Sequence, residues 1–196
     1  MLFRSFRALK LVGGVNSAPL LSRGRNTLEG TLLKGVVGGQ VGLRFNSGKG
    51  GASREDYRYF LPVQTRWTDN DQYAHMNNVH YISLFDTAIN TYMIRESGLL
   101  DHTAITKGGD RPVGFCVESM ARYHRPVTFP EVLDVGVRVG KIGGSSVVWE
   151  CAIFGEGGEE EAAATGHFVH VFVDPKTNKK VELDDDTRRV LSELQI

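Results

Sequence analysis

A short polar segment between residues 69 and 78 contains the side chains of this sequence that are best suited to chemistry. Asp71 is followed by His75 and then by Asn78, directly before a long stretch rich in apolar residues. A carboxylate can attack a carbonyl carbon or take a proton from water. Free N–H groups at the start of a helix can stabilise the negative oxygen that then develops. The segment therefore combines a candidate nucleophile or base with N–H donors for a developing negative charge at one loop-to-helix junction.

Each residue of this segment also has a purely structural interpretation. A helix N-terminus favours an ionised carboxylate, so Asp71 can act as nucleophile or general base, and its structural interpretation is a turn or cap residue. Asp69 is better explained as a turn residue. His75 either orients the carboxylate or a water, contacts substrate, or hydrogen-bonds near the helix start. Asn77 or Asn78 suits an N-cap, and the N–H near Asn78 is the predicted oxyanion donor.

The stretch that follows predicts a helix over residues 78–96, ended by Gly98. A surface helix needs an apolar stripe of only about 100°. Here apolar residues cover well over half of the circumference, so a sheet is expected to wrap around the helix rather than pack on one side. These residues are Tyr81, Ile82, Leu84, Phe85, Ala88, Ile89, Tyr92 and Met93.

Five segments have the pattern of β-strands: residues 59–67, 113–127, 133–139, 145–154 and 162–173. Pro62 favours an edge position or a bulge for the first of them. Glycine pairs at 143–144 and 157–158 separate consecutive strands, as hairpin turns do, and consecutive hairpins give an antiparallel sheet. With a short helix over residues 185–194, the elements predict an α+β fold.

The motif resembles that of a known family. The residues Arg66-Trp67-Thr68-Asp69-Asn70-Asp71, then His75-Met76-Asn77-Asn78 and Tyr81, are similar to the 4-hydroxybenzoyl-CoA thioesterase-like family of hotdog acyl-CoA thioesterases. Two later stretches match as well, from Glu118 to Pro126 and from Lys141 to Ser146. The resemblance covers about residues 57–175. It indicates the family, but it does not indicate which acyl group the substrate carries.

The resemblance implies a single hotdog domain over residues 54–196, with a five-stranded antiparallel sheet around a long central helix. It implies hydrolysis of a fatty acyl-CoA, medium to long chains being favoured, to free acid and CoA, and it places the catalytic acid at Asp71. The family pairs its subunits with sites between them, so a homodimer or homotetramer is expected. A hotdog hydratase or dehydratase, or a non-catalytic subunit that binds acyl groups or protein, remains an alternative.

Four residues are predicted to contact substrate, each with a competing interpretation. Asn77 also fits a cap, and Tyr81 also fits core packing. Glu118, in the middle of a strand, either faces solvent or lies close to the site. Lys141 is one of several basic residues that either bind the CoA phosphates or are ordinary surface charges, the others being Arg122, Arg125 and Arg138.

The sequence departs from the family at one position. A glycine often precedes the histidine of the motif, but here the residue is Ala74. If the loop requires a positive φ at this position, an alanine is strained there. The departure concerns the loop shape and not the family.

The first 53 residues differ in charge from the rest. Residues 1–50 contain eight basic residues and one acid, a net charge of +7, whereas the remainder contains 15 bases and 22 acids, a net charge of −7. An Arg-rich, nearly acid-free segment with an amphipathic start is typical of a mitochondrial transit peptide, and a disordered basic tail with no targeting role is the alternative. Residues 1–53 are therefore predicted to be a targeting peptide and linker, largely disordered, which places the enzyme in mitochondrial lipid metabolism, in the matrix.

Other classes of function find little support. No metal site, Walker loop or GxGxxG motif is present, so no cofactor is expected. The acidic net charge after residue 50 argues against nucleic-acid binding. No apolar run reaches about 18 residues, so stable membrane insertion is not expected. Cys116 and Cys151 lie in apolar strand-like stretches and are predicted to be buried free thiols.

Overall fold

The computed structural model describes residues 52–100, 109 and 111–195. Five strands are β1 (Tyr59–Gln64), β2 (Val113–Tyr123), β3 (Val132–Ile142), β4 (Ser146–Phe154) and β5 (Ala164–Val173). The long helix α1 (Asn78–Thr91) continues as a π-helical turn (Tyr92–Glu96), and a second helix, α2 (Asp185–Ser192), follows the sheet. The predicted targeting segment lies almost wholly outside the described residues.

The five strands form one antiparallel sheet in the order β1-β3-β4-β5-β2. Strand β1, which contains Pro62, and strand β2 are therefore the two edges, so the edge position predicted from Pro62 is confirmed. Two register shifts interrupt the ladders, between Cys116 and Glu118 in β2 and between Val139 and Lys141 in β3.

Helix α1 packs on one face of this sheet. Its inward residues Phe85, Ala88 and Ile89 are completely buried, together with the alternating inward residues of β3 and β4. Gly166 on β5 lets the ring of Phe85 approach the sheet closely, because a Cβ there would lie 2.6 Å from Phe85 Cε2. The expectation of one sheet around a long apolar helix, a single hotdog domain of α+β class, is confirmed.

The face of the sheet away from α1 has a smaller core. Tyr57 and Phe60 pack on Phe154, and the ion pairs Arg54–Asp134 and Arg138–Glu150, both 2.6 Å, bridge the strands beside them. This core covers one end of the outer face. In the part of the chain that the structure describes, the helices are too short or too polar to cross a membrane.

Some element ends differ from those predicted. Strand β1 stops at Gln64, because residues 67–69 form a 3₁₀ turn instead of continuing the strand. Strand β2 stops at Tyr123, because the next two backbone N–H groups both donate to the Ala163 carbonyl. The predicted end of the central helix at residue 96 is correct, and Gly98, with φ +64°, follows it.

The prediction that both cysteines are buried is wrong for Cys116. Cys151 is fully buried in β4, but Cys116 is exposed. The difference follows from strand order, which the sequence pattern does not contain: β4 is an inner strand, whereas β2 is an edge.

Candidate active site

The loop that joins residue 70 to α1 folds around the side chain of Asp71. Its Oδ1 accepts hydrogen bonds from the backbone N–H groups of Tyr73 (2.7 Å) and His75 (3.4 Å). The Asp71 backbone N–H in turn donates to the His75 carbonyl (2.8 Å). Among the described residues, no side chain bonds this carboxylate, and its second oxygen, Oδ2, has no hydrogen-bond partner. One oxygen thus fixes the carboxylate and the other is available to a substrate or a water.

The turn that follows β2 is joined to this loop by hydrogen bonds. The Thr128 hydroxyl donates to the Ala74 carbonyl (2.8 Å) and accepts from the Asn70 side-chain amide (3.1 Å). Met76, which is buried, donates its backbone N–H to the Val127 carbonyl (2.9 Å). These bonds tie both ends of the loop to residues 127–129, so the position of Asp71 is set by a backbone framework rather than by an ion pair.

Ala74 lies at the tip of the loop with a φ of +62°. This region of φ is one that L-residues other than glycine, asparagine and aspartate seldom adopt. The loop therefore does require the left-handed conformation at the position where the family often has glycine. The alanine retains the loop shape at the expense of local strain.

Helix α1 begins at the end of the Asp71 loop. Asn77 is its N-cap, and its side chain accepts from the Val79 backbone N–H (3.2 Å). Asn78 is the first residue of the helix. Its backbone N–H has no hydrogen-bond partner among the described residues, as expected for the first turn of a helix. The side chain of Asn78 is exposed. The junction thus combines a free carboxylate oxygen with a free N–H donor at the positive end of a helix dipole.

Asp69 has different surroundings from Asp71. It is only 7% exposed, and it accepts from the backbone N–H of Arg66 (2.7 Å) and from its guanidinium (2.9 and 2.8 Å). Burial acts to raise the pKa of Asp69, but the bonds and the charge of Arg66 outweigh it and lower the pKa. Its carbonyl also accepts from the Asn77 N–H (2.8 Å). The geometry agrees with the turn role expected for Asp69.

The other predicted residues near the loop divide between exposed and buried positions. His75 is exposed, and its ring has no hydrogen-bond partner among the described residues. Tyr81 is buried and packs edge-on against Tyr123, with ring centroids 4.9 Å apart, and burial raises its pKa. Tyr81 therefore packs behind the loop, whereas His75 faces solvent beside Asp71.

Tyr123 is a residue of this region for which sequence reasoning proposed no role. It ends β2, is 45% exposed, and its hydroxyl donates to the Asn78 carbonyl (3.4 Å). Its position beside the helix start follows from the pairing of β2 with β5, which no local pattern indicates.

Glu118 and Lys141 are not brought to Asp71 within one chain. Glu118 lies in the middle of β2 on the face away from α1, where its Oε1 is 2.7 Å from His167 Nε2. Lys141 lies near the end of β3, about 30 Å along the strand from Val132 at about 3.3 Å per residue. The Asp71 loop packs beside the opposite end of β3.

A family model described as the thioesterase-like superfamily matches residues 65–191. The chain belongs to this superfamily. The match contains the Asp71 loop, α1 and the four later strands. The resemblance to 4-hydroxybenzoyl-CoA thioesterase-like hotdog enzymes is thus confirmed, and the expected class, a thioester hydrolase, is confirmed at the level of the family.

Solved structures have the same architecture as this thioesterase-like chain. The PA5185 protein of Pseudomonas aeruginosa PAO1 is 45% identical, with a TM-score of 0.66 over 73% of this chain and 95% of that protein. The DHNA-CoA thioesterase of Staphylococcus aureus is 22% identical, with a TM-score of 0.58 over 68% and 88%. A Thermus thermophilus thioesterase complexed with coenzyme A and zinc is 24% identical, with a TM-score of 0.58 over 71% and 96%.

The last two likenesses, at these identities, show the shared fold. A comparison with curated proteins gave no match. Within the described residues, no three His, Cys, Asp or Glu side chains are grouped so that they could hold a metal ion.

Proposed function

We propose that this thioesterase-like chain hydrolyses a fatty acyl-CoA to the free acid and CoA. The observation that carries the proposal is the loop-to-helix junction, in which the Oδ2 of Asp71 in the loop and the N–H of Asn78 at the helix start have no hydrogen-bond partner among the described residues. The carboxylate attacks the thioester carbon or takes a proton from the attacking water. The Asn78 N–H stabilises the oxyanion. His75, beside the carboxylate, contacts the water or the leaving group.

The acyl group is proposed to be of medium to long chain. The apolar side chains of α1 that the sheet leaves partly exposed, Val79, Ile82 and Leu84, are proposed to contact an alkyl chain, which gains about 0.8 kcal/mol for each CH₂ that it buries. Tyr81 is proposed to contribute to the wall of this acyl site. Asn77 fixes the helix start at which the thioester would lie.

A second copy of the chain is proposed to complete the site. Strand β2 is an open edge with exposed apolar residues, Phe115 (50%), Val117 (61%) and Tyr123 (45%). An open edge of this kind favours pairing with another strand. Two-fold antiparallel pairing of β2 with β2 of the partner would set the Val113 end of one strand beside the Tyr123 end of the other. The Lys141 end of the partner subunit would then lie on the Asp71 side, within reach of the CoA phosphates.

The test replaces each of the two neighbouring carboxylates in turn. Asp71→Asn is expected to lower kcat for palmitoyl-CoA by about two to four orders of magnitude, because it removes the base or nucleophile. Asp69→Asn is the matched control. It removes the charge that Arg66 binds, so we expect lower stability with kcat within about tenfold of the parent. Turnover is followed by the release of free CoA thiol, and folding by circular dichroism. A folded Asp71→Asn protein with near-normal kcat would contradict the proposal.

Mitochondrial targeting by residues 1–53 is proposed from their charge and amphipathic start alone. Isolated mitochondria given residues 1–53 fused to a reporter domain should import and protect the reporter from added protease. Replacing the five bases up to residue 25 with Gln should abolish that protection, because import depends on positive charge. Equal protection of both fusions would contradict the targeting role.

A further inference from the structure

The strained residue Ala74 belongs to the same tight hairpin turn as Asp71. The Asp71 N–H donates to the His75 carbonyl (2.8 Å), and the Ala74 N–H donates to the Asp71 carbonyl (3.1 Å). Asn70 and Met76 pair on either side of this turn as an isolated antiparallel bridge. Such turns often close with one residue in the left-handed conformation, usually a glycine. For an alanine, as here with φ +62°, this conformation is about 5- to 30-fold less populated than the right-handed one.

One peptide group connects Ala74 to the carboxylate of Asp71. The Ala74 carbonyl and the His75 N–H belong to the same peptide plane, which is rigid because its C–N bond has partial double-bond character. On one side of this plane the His75 N–H donates to Asp71 Oδ1 (3.4 Å). On the other side the Ala74 carbonyl accepts from the Thr128 hydroxyl (2.8 Å). A group that orients the Ala74 carbonyl therefore also orients a donor to the Asp71 carboxylate.

The Thr128 hydroxyl is itself held by its neighbours. It accepts from the side-chain amide of Asn70 (3.1 Å), so its own proton is available to the Ala74 carbonyl. The Thr128 N–H donates to the Glu131 carboxylate (2.9 Å). The Glu131 N–H in turn donates to the hydroxyl of Thr65 (2.9 Å), which is only 3% exposed. Thr128 is thus anchored, through Glu131, to a buried residue directly after β1.

The bond from Thr128 is comparable in strength to the strain that it opposes. One hydrogen bond within a protein shifts an equilibrium by about two- to tenfold. Without the hydroxyl, Ala74 is free to relax towards a negative φ, which turns the peptide plane between residues 74 and 75. The His75 N–H is then withdrawn from Asp71. Asp71 Oδ1 keeps only the bond from the Tyr73 N–H (2.7 Å), so the carboxylate loses its fixed orientation.

We propose that Thr128 is a positioning residue for Asp71, and that its hydroxyl keeps the strained loop in the conformation that reacts. The inference rests on the proposed function in one respect, that Asp71 is the reacting carboxylate. Thr128 lies outside the motif of residues 66–81 and acts only through the peptide group between residues 74 and 75. Its loss should therefore slow the chemical step and leave substrate binding nearly unchanged.

The first experiment separates the hydroxyl of Thr128 from its methyl group. Thr128→Val should lower kcat for palmitoyl-CoA by about ten- to a hundredfold with KM within about threefold of the parent, because a small displacement of the reacting group is enough for such a loss. Thr128→Ser keeps the hydroxyl and should stay within about threefold of the parent in both constants. Thr91→Val is the matched control. It loses a bond of the same kind, to the Thr87 carbonyl (2.7 Å), at the far end of α1, and should keep the parent's kcat.

The outcomes distinguish this inference from the proposed function. A folded Thr128→Val protein with the parent's kcat, while Asp71→Asn is inactive, would overturn the positioning role and leave the proposed function standing. Near-normal kcat in Asp71→Asn would instead remove the proposed function itself. Circular dichroism of each variant shows that it is folded.

The second experiment tests whether Thr128 acts through the strain at Ala74. Thr128→Val is introduced into an Ala74→Gly protein, and the two single variants and the double variant form a cycle. Glycine holds a positive φ without strain, so the loop is not driven to relax when the hydroxyl is lost. The fall in kcat caused by Thr128→Val should then shrink to about threefold. A fall as large as in the parent background would show that the hydroxyl does not act through Ala74, and would overturn the inference.

Discussion

Ala74 holds a left-handed backbone conformation that a glycine would adopt without strain. For L-residues this conformation costs about 1–2 kcal/mol, and replacement by glycine recovers part of it while adding freedom to the unfolded chain. We expect Ala74→Gly to raise the free energy of unfolding by about 1 kcal/mol in urea titrations. Ala88→Gly, inside α1, should instead lower it by about 1 kcal/mol or more. A destabilised Ala74→Gly protein would show that the alanine methyl group is needed in the loop.

At the scale of single residues, sequence reasoning predicted different roles for two carboxylates only two positions apart. The helix start and the family motif favoured Asp71 for catalysis and Asp69 for the turn. The structure gives the two carboxylates different hydrogen-bond partners, and the catalytic role of Asp71 stays a prediction. The partners of these groups could not be predicted. Arg66 can bind Asp69 because residues 67–69 form a 3₁₀ turn. The sequence pattern had predicted that β1 continues to residue 67. The hydrogen bond from the Thr128 hydroxyl to the Ala74 carbonyl joins residues 54 positions apart, so no local sequence pattern predicts it.

Contact between α1 and the sheet depends on the absence of a side chain at Gly166. A Cβ there would lie 2.4 Å from the Met120 carbonyl oxygen and 2.6 Å from the Phe85 ring. The Met120 carbonyl belongs to the backbone of β2 and cannot move aside as a flexible side chain can. Gly166→Ala should therefore lower the free energy of unfolding by about 3 kcal/mol. Gly144→Ala, where nothing lies within 4 Å, should change it by less than about 0.5 kcal/mol. Similar unfolding midpoints for the two variants would contradict this packing.

The elements were predicted best where one face is strongly apolar. The helix over residues 78–96 and the strand that became β3 have long, regular apolar patterns, and both were placed correctly to within a few residues. Strand ends were placed less well, because Trp67 and Val127 continue an apolar pattern while the backbone already turns. The exposure of Cys116 could not be predicted, since strand order decides which apolar segment is an edge.

The proposed partner contact involves the whole molecule, because Lys141 and Asp71 lie at opposite ends of one sheet. Val117 sits at the bulge of the open edge β2 and is 61% exposed. A lysine on an edge strand disfavours pairing with another chain. Val117→Lys should therefore shift the protein from dimer or tetramer to monomer in light scattering, and it should raise KM for acyl-CoA as the partner's basic residues are lost. Val132→Lys, also on an exposed valine but at the start of β3, should keep the parent's mass and KM.

A Val117→Lys protein that remains oligomeric would place the interface elsewhere, and a parent that is monomeric yet fully active would show that one chain contains the whole site.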